Sequence, residues 1–203
     1  MTFFEHLAAA ARALSLAEIV AVAMAVAYLV LVIYQNIWCW AAALASVLIY
    51  LFIFFDARLY MESALQIFYA AMAVYGWYQW KFGGAGQDGL PITMWRPRIH
   101  LLIVAAVLGT AAVLGSVLSM TDAAFPYLDS FTTVAAIVAT YMVARKILEN
   151  WIYWFAIDSL SVYLYASRDL YLTAVLYAVY LVLIVIGFRQ WLQDWRRQSE
   201  AAP

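Results

Sequence analysis

ENWIYWFAIDSLSVYLY, residues 149–165, is apolar enough to lie in hydrocarbon, yet a polar line runs through it. Asn150, Trp154, Asp158, Ser161 and Tyr165 stand at i, i+4, i+8, i+11 and i+15. At 100° per residue they fall within about 80° of helical arc, and Trp151 lies one residue round from them. A carboxylate near the middle of a span costs about 2.5–3.5 kcal/mol on insertion scales, so Asp158 requires a partner or a wet cavity. Either it hydrogen-bonds Tyr or Ser on a neighbouring helix and pins the bundle, or it serves a site. Polar faces inside a membrane protein look inward, so this stripe marks the interior of a bundle.

The rest of the chain agrees. Of 203 residues, 68% are hydrophobic and 11% charged, with mean hydropathy +0.88. A soluble domain needs roughly 25% charged residues to wet its surface. Runs at Leu16–Tyr34, Ile37–Phe55, Leu59–Trp80, His100–Leu118 and Leu170–Phe188 are near the ~20 residues that cross ~30 Å of hydrocarbon. Ala123–Ala144, interrupted by Pro126 and Asp129, and Trp151–Ala166, short and carrying Asp158, are weaker spans. Together they predict seven transmembrane helices. The N-terminal residues 1–15 do not read as a signal peptide, and 3–14 fits a short amphipathic surface helix.

Three matches in the same order point to a duplication. Asn36-x-x-x-Trp40 recurs as Asn150-x-x-x-Trp154, a separation of 114. Leu59-Tyr60 recurs as Leu170-Tyr171, and Gly76-x-x-Gln79-Trp80 as Gly187-x-x-Gln190-Trp191, both at 111. A three-residue shortening before the last helix reconciles the offsets. The expected organisation is a triple-helix unit at 16–80, a cytoplasmic loop at 81–99, a linker helix at 100–118, a second unit at 119–190 and a cytoplasmic tail at 191–203. With one helix between them the units run parallel, a 3+1+3 SWEET-like arrangement with its site near the midplane. Segments on one side carry Arg12, Arg58 and Arg168; those on the other carry the remaining eight of 11 basic residues. Positive charge favours the cytoplasm, which puts the C-terminus inside and the N-terminus outside.

The offset of 114 sets Leu44 against Asp158 and Val47 against Ser161. A purely architectural stripe would be needed in both halves, so this asymmetry favours a site. A second stripe, Glu62, Gln66, Tyr69, Ala73 and Trp77, has the counterpart Thr173, Tyr177, Tyr180, Ile184 and Phe188. Glu62 and Trp80 lie near helix ends, where a solvated carboxylate and a belt tryptophan are expected. Gln66, Tyr69 and Trp77 join the candidate site, as do Tyr177 and the first-repeat pair Asn36 and Trp40. Aromatic faces beside an amide and a carboxylate suit a flat, polar, cationic ring.

Other chemistries lack their residues. Lys81 and Lys146 sit at helix ends, so no retinal lysine is present. His6 and His100 are near the surface, and GGAGQDG at 83–89 lacks the Lys-Ser/Thr of a phosphate loop and reads as flexible. The single Cys39 excludes an internal disulfide. No cofactor, metal, catalytic residue or nucleic-acid partner is expected, and the chain does not read as an enzyme.

YGWYQW (75–80), NIWCW (36–40), the 149–165 stretch and LYLTAVLYAVYLVLIVIGFRQW (170–191) resemble the PnuC family of vitamin transporters. The resemblance covers most of residues 30–195. It implies a bacterial inner-membrane carrier of seven helices that takes up nicotinamide riboside, relatives taking thiamine or riboflavin. Uptake by facilitated diffusion becomes one-way when a cytoplasmic kinase phosphorylates the vitamin, without required contact with the carrier. By similarity Asn150, Trp151, Trp154 and Asp158 bind substrate. A thiamine, riboflavin or nucleoside carrier of the same fold is one alternative and a non-transporting substrate-binding subunit that needs an energising partner is another, and the sequence leaves a homo-oligomer open.

Overall fold

The computed structural model describes residues 12, 14–56, 58, 60–84, 89–121, 125–167 and 170–201, side chains at 60–62, 64 and 201 excepted. The amphipathic segment expected at 3–14 lies almost wholly outside them. Seven α-helices follow in order: α1 Leu16–Ile33, α2 Cys39–Asp56, α3 Tyr60–Phe82, α4 Pro97–Leu118, α5 Pro126–Ala144, α6 Asn150–Ala166 and α7 Tyr171–Ala201. The chain is an all-α membrane protein. α1 opens on a capping box in which Ser15 and Glu18 satisfy each other's backbone N–H groups.

Pro126 does not interrupt α5. It occupies the helix's first turn, where a missing N–H costs nothing, and Asp129 sits in the same turn against the positive end of the helix dipole. α5 is therefore long and apolar enough to span, as are α1, α2, α4 and α7. α3, read from the sequence as an easy span, falls short of that standard because Glu62 and Gln66 lie within its most apolar stretch and Gln79 and Lys81 just beyond it. α6 falls short by length, at 17 residues. The two helices least suited to lipid are those with the polar stripes.

α1 packs on α2 and α2 on α3; α5 packs on α6 and α6 on α7. The two triplets meet through α1 against α7 and α3 against α5, and α4 packs on α5. The turns after α1 and α5 are built alike. Gln35 (φ 53) and Lys146 (φ 48) take the left-handed conformation. The next N–H groups reach back to Leu31 O and Met142 O, both at 2.9 Å, closing a Schellman turn. A non-glycine residue there costs about 1–2 kcal/mol.

The packing corrects the register of the repeat. The Trp40 ring lies on Gly76 and the Trp151 ring on Gly187, so close that a Cβ on either glycine would stand 2.3 Å from the indole. Trp40 is thus the twin of Trp151, and one offset of 111 runs through both halves with no shortening. The match at 114 arose because Asn and Trp recur nearby, and in the true register Cys39 is the twin of Asn150. The asymmetry survives in altered form: Asp158 faces Val47, Trp154 faces Ala43, and Ser161 faces Tyr50.

Crossed hydrogen bonds join the units. Trp80 Nε1 donates to Val143 O at 3.1 Å, and its twin Trp191 Nε1 donates to Val32 O at 3.0 Å. The part of the 81–99 connection beyond Gly89 is a strap. Thr93 pairs with the α5–α6 turn through Lys146 O (3.0 Å) and Leu148 N (2.9 Å). Ile92 N donates to Gln198 Oε1 at 3.1 Å, while Leu90 and Ile92 are buried in the main core. Residues 85–88 of the segment read as flexible are outside the described part.

Candidate binding site

Between the units lies a cavity of about 180 Å³. α1 contributes Ala25, Tyr28, Leu29 and Val32, α5 contributes Val143, and α7 contributes Tyr177, Tyr180 and Ile184. α6 supplies Asn150, Trp151, Trp154 and Asp158, four residues whose spacing turns them to one side of the helix. The cavity therefore runs from the middle of the spans toward the end that carries the C-terminal helix extension.

Its chemistry is aromatic and sparsely polar. Asp158, 4% exposed, is the single charged residue of the described lining. Asn150 is fully buried; its Nδ2 donates to Ile147 O at 2.6 Å, and its Oδ1 has no partner. The Nε1 of Trp151, 1% exposed, also has none. Leaving such groups unsatisfied costs roughly 1–3 kcal/mol each, so an acceptor and a donor stand ready for a polar ligand. Tyr177 is held between Tyr165, stacked at 5.3 Å and 15°, and Tyr180, edge-on at 5.7 Å.

The structure brings together five of the candidates read from the sequence: Asn150, Trp151, Trp154, Asp158 and Tyr177. Tyr165 supports Tyr177 from behind. Ser161 is buried but spends its hydroxyl on Ile157 O, 3.0 Å away in its own helix. Trp40 packs behind Tyr28 at 6.0 Å between ring centroids, its Nε1 unpartnered. Gln66 and Tyr69 are half-buried on α3 and do not line the cavity. Trp77, expected at depth, is 40% exposed with the Lys81 ammonium 4.8 Å from its ring. Asn36 is exposed, and its Oδ1 accepts from Trp38 N at 3.0 Å, a turn-capping role.

Sequence reasoning missed Tyr28 and Tyr180. Tyr28 was legible as the lone phenol in an aliphatic span, on one face with Ala25, Leu29 and Val32. Tyr180 belonged to a recognised stripe and was passed over. A larger hollow, about 390 Å³, lies among α4, α5 and α6, with Val104, Val107, Phe131 and Ala135 in its wall. It is not the candidate site, because no helix of the first unit lines it; its polar groups are His100, Glu149 and Tyr153, with Tyr153 OH 3.0 Å from His100 Nδ1 and Glu149 Oε1 3.4 Å from His100 Nε2.

Residues 15–193 match the family model described as nicotinamide mononucleotide transporter. The chain belongs to this family. The nicotinamide riboside transporter PnuC of Escherichia coli (strain K12) is 28% identical over 183 residues, covering 77% of each chain. The riboflavin/roseoflavin transporter RibM of Streptomyces davaonensis is 31% identical over 182 residues, covering 83% of this chain and 82% of RibM. The crystal structure of the vitamin B3 transporter PnuC superposes with a TM-score of 0.70 at 25% identity, covering 89% of this chain and 82% of that one. This PnuC-type chain is accordingly a multi-pass membrane protein of a vitamin transporter family, and its structural neighbour is a transporter too.

Proposed function

We propose that the chain is a facilitative carrier that imports nicotinamide riboside through the cavity between its two triple-helix units. The observation that carries this reading is the lining itself: five aromatic side chains around one carboxylate, with an amide oxygen and an indole N–H unpartnered. A pyridinium ring stacks on such walls and is drawn to both the π faces and Asp158, while the ribose hydroxyls answer the free donor and acceptor. The same lining argues against the mononucleotide. No Lys or Arg is among its described residues, and a phosphate would meet Asp158 with nothing to neutralise it. Riboflavin carries no positive charge, so neither Asp158 nor the π faces would draw its ring as they draw a pyridinium.

In this reading units 16–80 and 119–190 rock about the site and the linker helix 100–118 joins them. The N-terminus is outside and the tail is cytoplasmic, as the charge asymmetry favours. Intracellular phosphorylation makes uptake one-way. Titration calorimetry of the purified chain, followed also by tryptophan fluorescence, tests it with four ligands. Nicotinamide riboside is expected to bind and quench, and nicotinamide mononucleotide and riboflavin to bind at least tenfold more weakly. Tighter binding of thiamine or of riboflavin would replace the substrate while keeping the carrier.

A further inference from the structure

Beyond Val32 and Val143, at the end of the bundle carrying the extension of α7, a second polar assembly spans the two units, and none of its residues lines the cavity. Gln35 and Lys146 are twins in the repeat, and the fold puts them face to face. Lys146 Nζ donates to Gln35 Oε1 at 3.1 Å, and Gln35 Nε2 donates to Asp194 Oδ2 at 2.9 Å. Asp194 also accepts from Gln190 Nε2 at 3.3 and 3.4 Å and lies 3.5 Å from Arg197. The ammonium of Lys146 stands 4.7 Å from the centroid of Trp80. One amide of the first unit is thus gripped from both sides, by the second unit and by the helix α7 that continues from it into the tail.

Packing alone does not account for it. Both Gln35 and Lys146 occupy left-handed turn positions that glycine fills without strain, so the chain retains these side chains at a cost in backbone energy. Lys146 is 9% exposed, and a buried ion network is seldom more stable than apolar residues of like volume. Polar contacts have a different merit. Water replaces them when a seam opens, whereas an apolar seam would expose its whole area to solvent. A seam that must part and close repeatedly is better built from the former.

We propose that the chain Lys146–Gln35–Asp194 is a releasable lock that closes the tail-end exit of the cavity and parts when the carrier opens on that side. These are positioning residues: they touch no substrate and set the balance between closed and open arrangements. The inference rests on the chain being a carrier and is independent of which vitamin it carries.

Cys39, the single cysteine, provides the reporter. It is the first residue of α2, 0% exposed, in the core cluster that also holds Trp80 and Trp191. The full-length protein in nanodiscs, open to reagent on both faces, is reacted with a water-soluble maleimide and the rate of Cys39 labelling followed without substrate. Asp194→Asn and Lys146→Gln are each expected to raise the rate about tenfold, the factor that corresponds to the charge assistance lost from one hydrogen bond. Adding Gln35→Glu to Asp194→Asn is expected to restore the slow rate, since the new amide donates to the new carboxylate, which still takes Lys146. Melting temperature and elution volume separate opening from misfolding, and a restored double variant cannot be misfolded. Unchanged labelling in both single variants, or a double variant as fast as Asp194→Asn alone, would overturn the lock. Failure of nicotinamide riboside to bind would leave this result standing.

Discussion

Asp158 and Trp77 were both candidates in the sequence, and the fold separates them. Asp158 is buried in the cavity wall as its lone charge, while Trp77 faces outward under Lys81. Asp158→Asn keeps the shape and removes the charge, so it should weaken nicotinamide riboside binding by about 10–100-fold, or about 1.4–2.8 kcal/mol, in calorimetry. Trp77→Ala should change binding less than about twofold, within the usual range of surface substitutions. Lys146 gives a pH signature. Burial lowers its pKa from 10.5 to about 8, opposed by Cys39 on α2 and Asp194 on α7, with the uncharged Trp80 and Gln35 as its other neighbours. The folded state releases this proton before the unfolded chain does, so this residue's contribution to stability rises between pH 8 and 10.5. Unfolding free energies of the wild type and Lys146→Gln across that window should shift in the wild type's favour by up to about 3 kcal/mol. Parallel curves would show that the burial does not perturb the lysine.

At the scale of elements, the glycines of α3, α4 and α7 make a controlled comparison. Gly76 and Gly187 are where one helix admits the indole of the next, and an added Cβ meets ring atoms at 2.3 Å. Gly76→Ala and Gly187→Ala should each destabilise by about 1–3 kcal/mol, as overpacking does. Gly109 on α4 has nothing within 4 Å of that position. Gly109→Ala should be neutral or stabilising by up to about 1 kcal/mol from helix propensity alone. Thermal melts in one lipid environment check all three. The spans themselves were legible because hydrocarbon thickness and side-chain polarity act locally. Pro126 was misjudged because proline breaks a helix only in its interior, and where a helix begins depends on the chain before it.

For the whole molecule the governing fact is the pseudo-symmetric joint between units. Trp80 and Trp191 make equivalent bonds across it, so Trp80→Phe and Trp191→Phe should cost similar amounts, about 2–4 kcal/mol each from the carbonyl left unpaired and the smaller ring. Strongly unequal losses in matched unfolding titrations would deny the equivalence. The sequence by itself determined the membrane class, the seven helices, the existence of two related halves and the demand that Asp158 be compensated. Each follows from composition, length or period, properties that a run of neighbouring residues carries alone. Tertiary structure decided the register of the halves, the entry of Tyr28 and Tyr180 into the cavity wall, the outward turn of Trp77 and the meeting of Gln35 with Lys146 and Asp194. Those depend on which faces of distant helices converge. That is set by the close approach of indole to glycine between helices, and no single segment contains both partners of the contact.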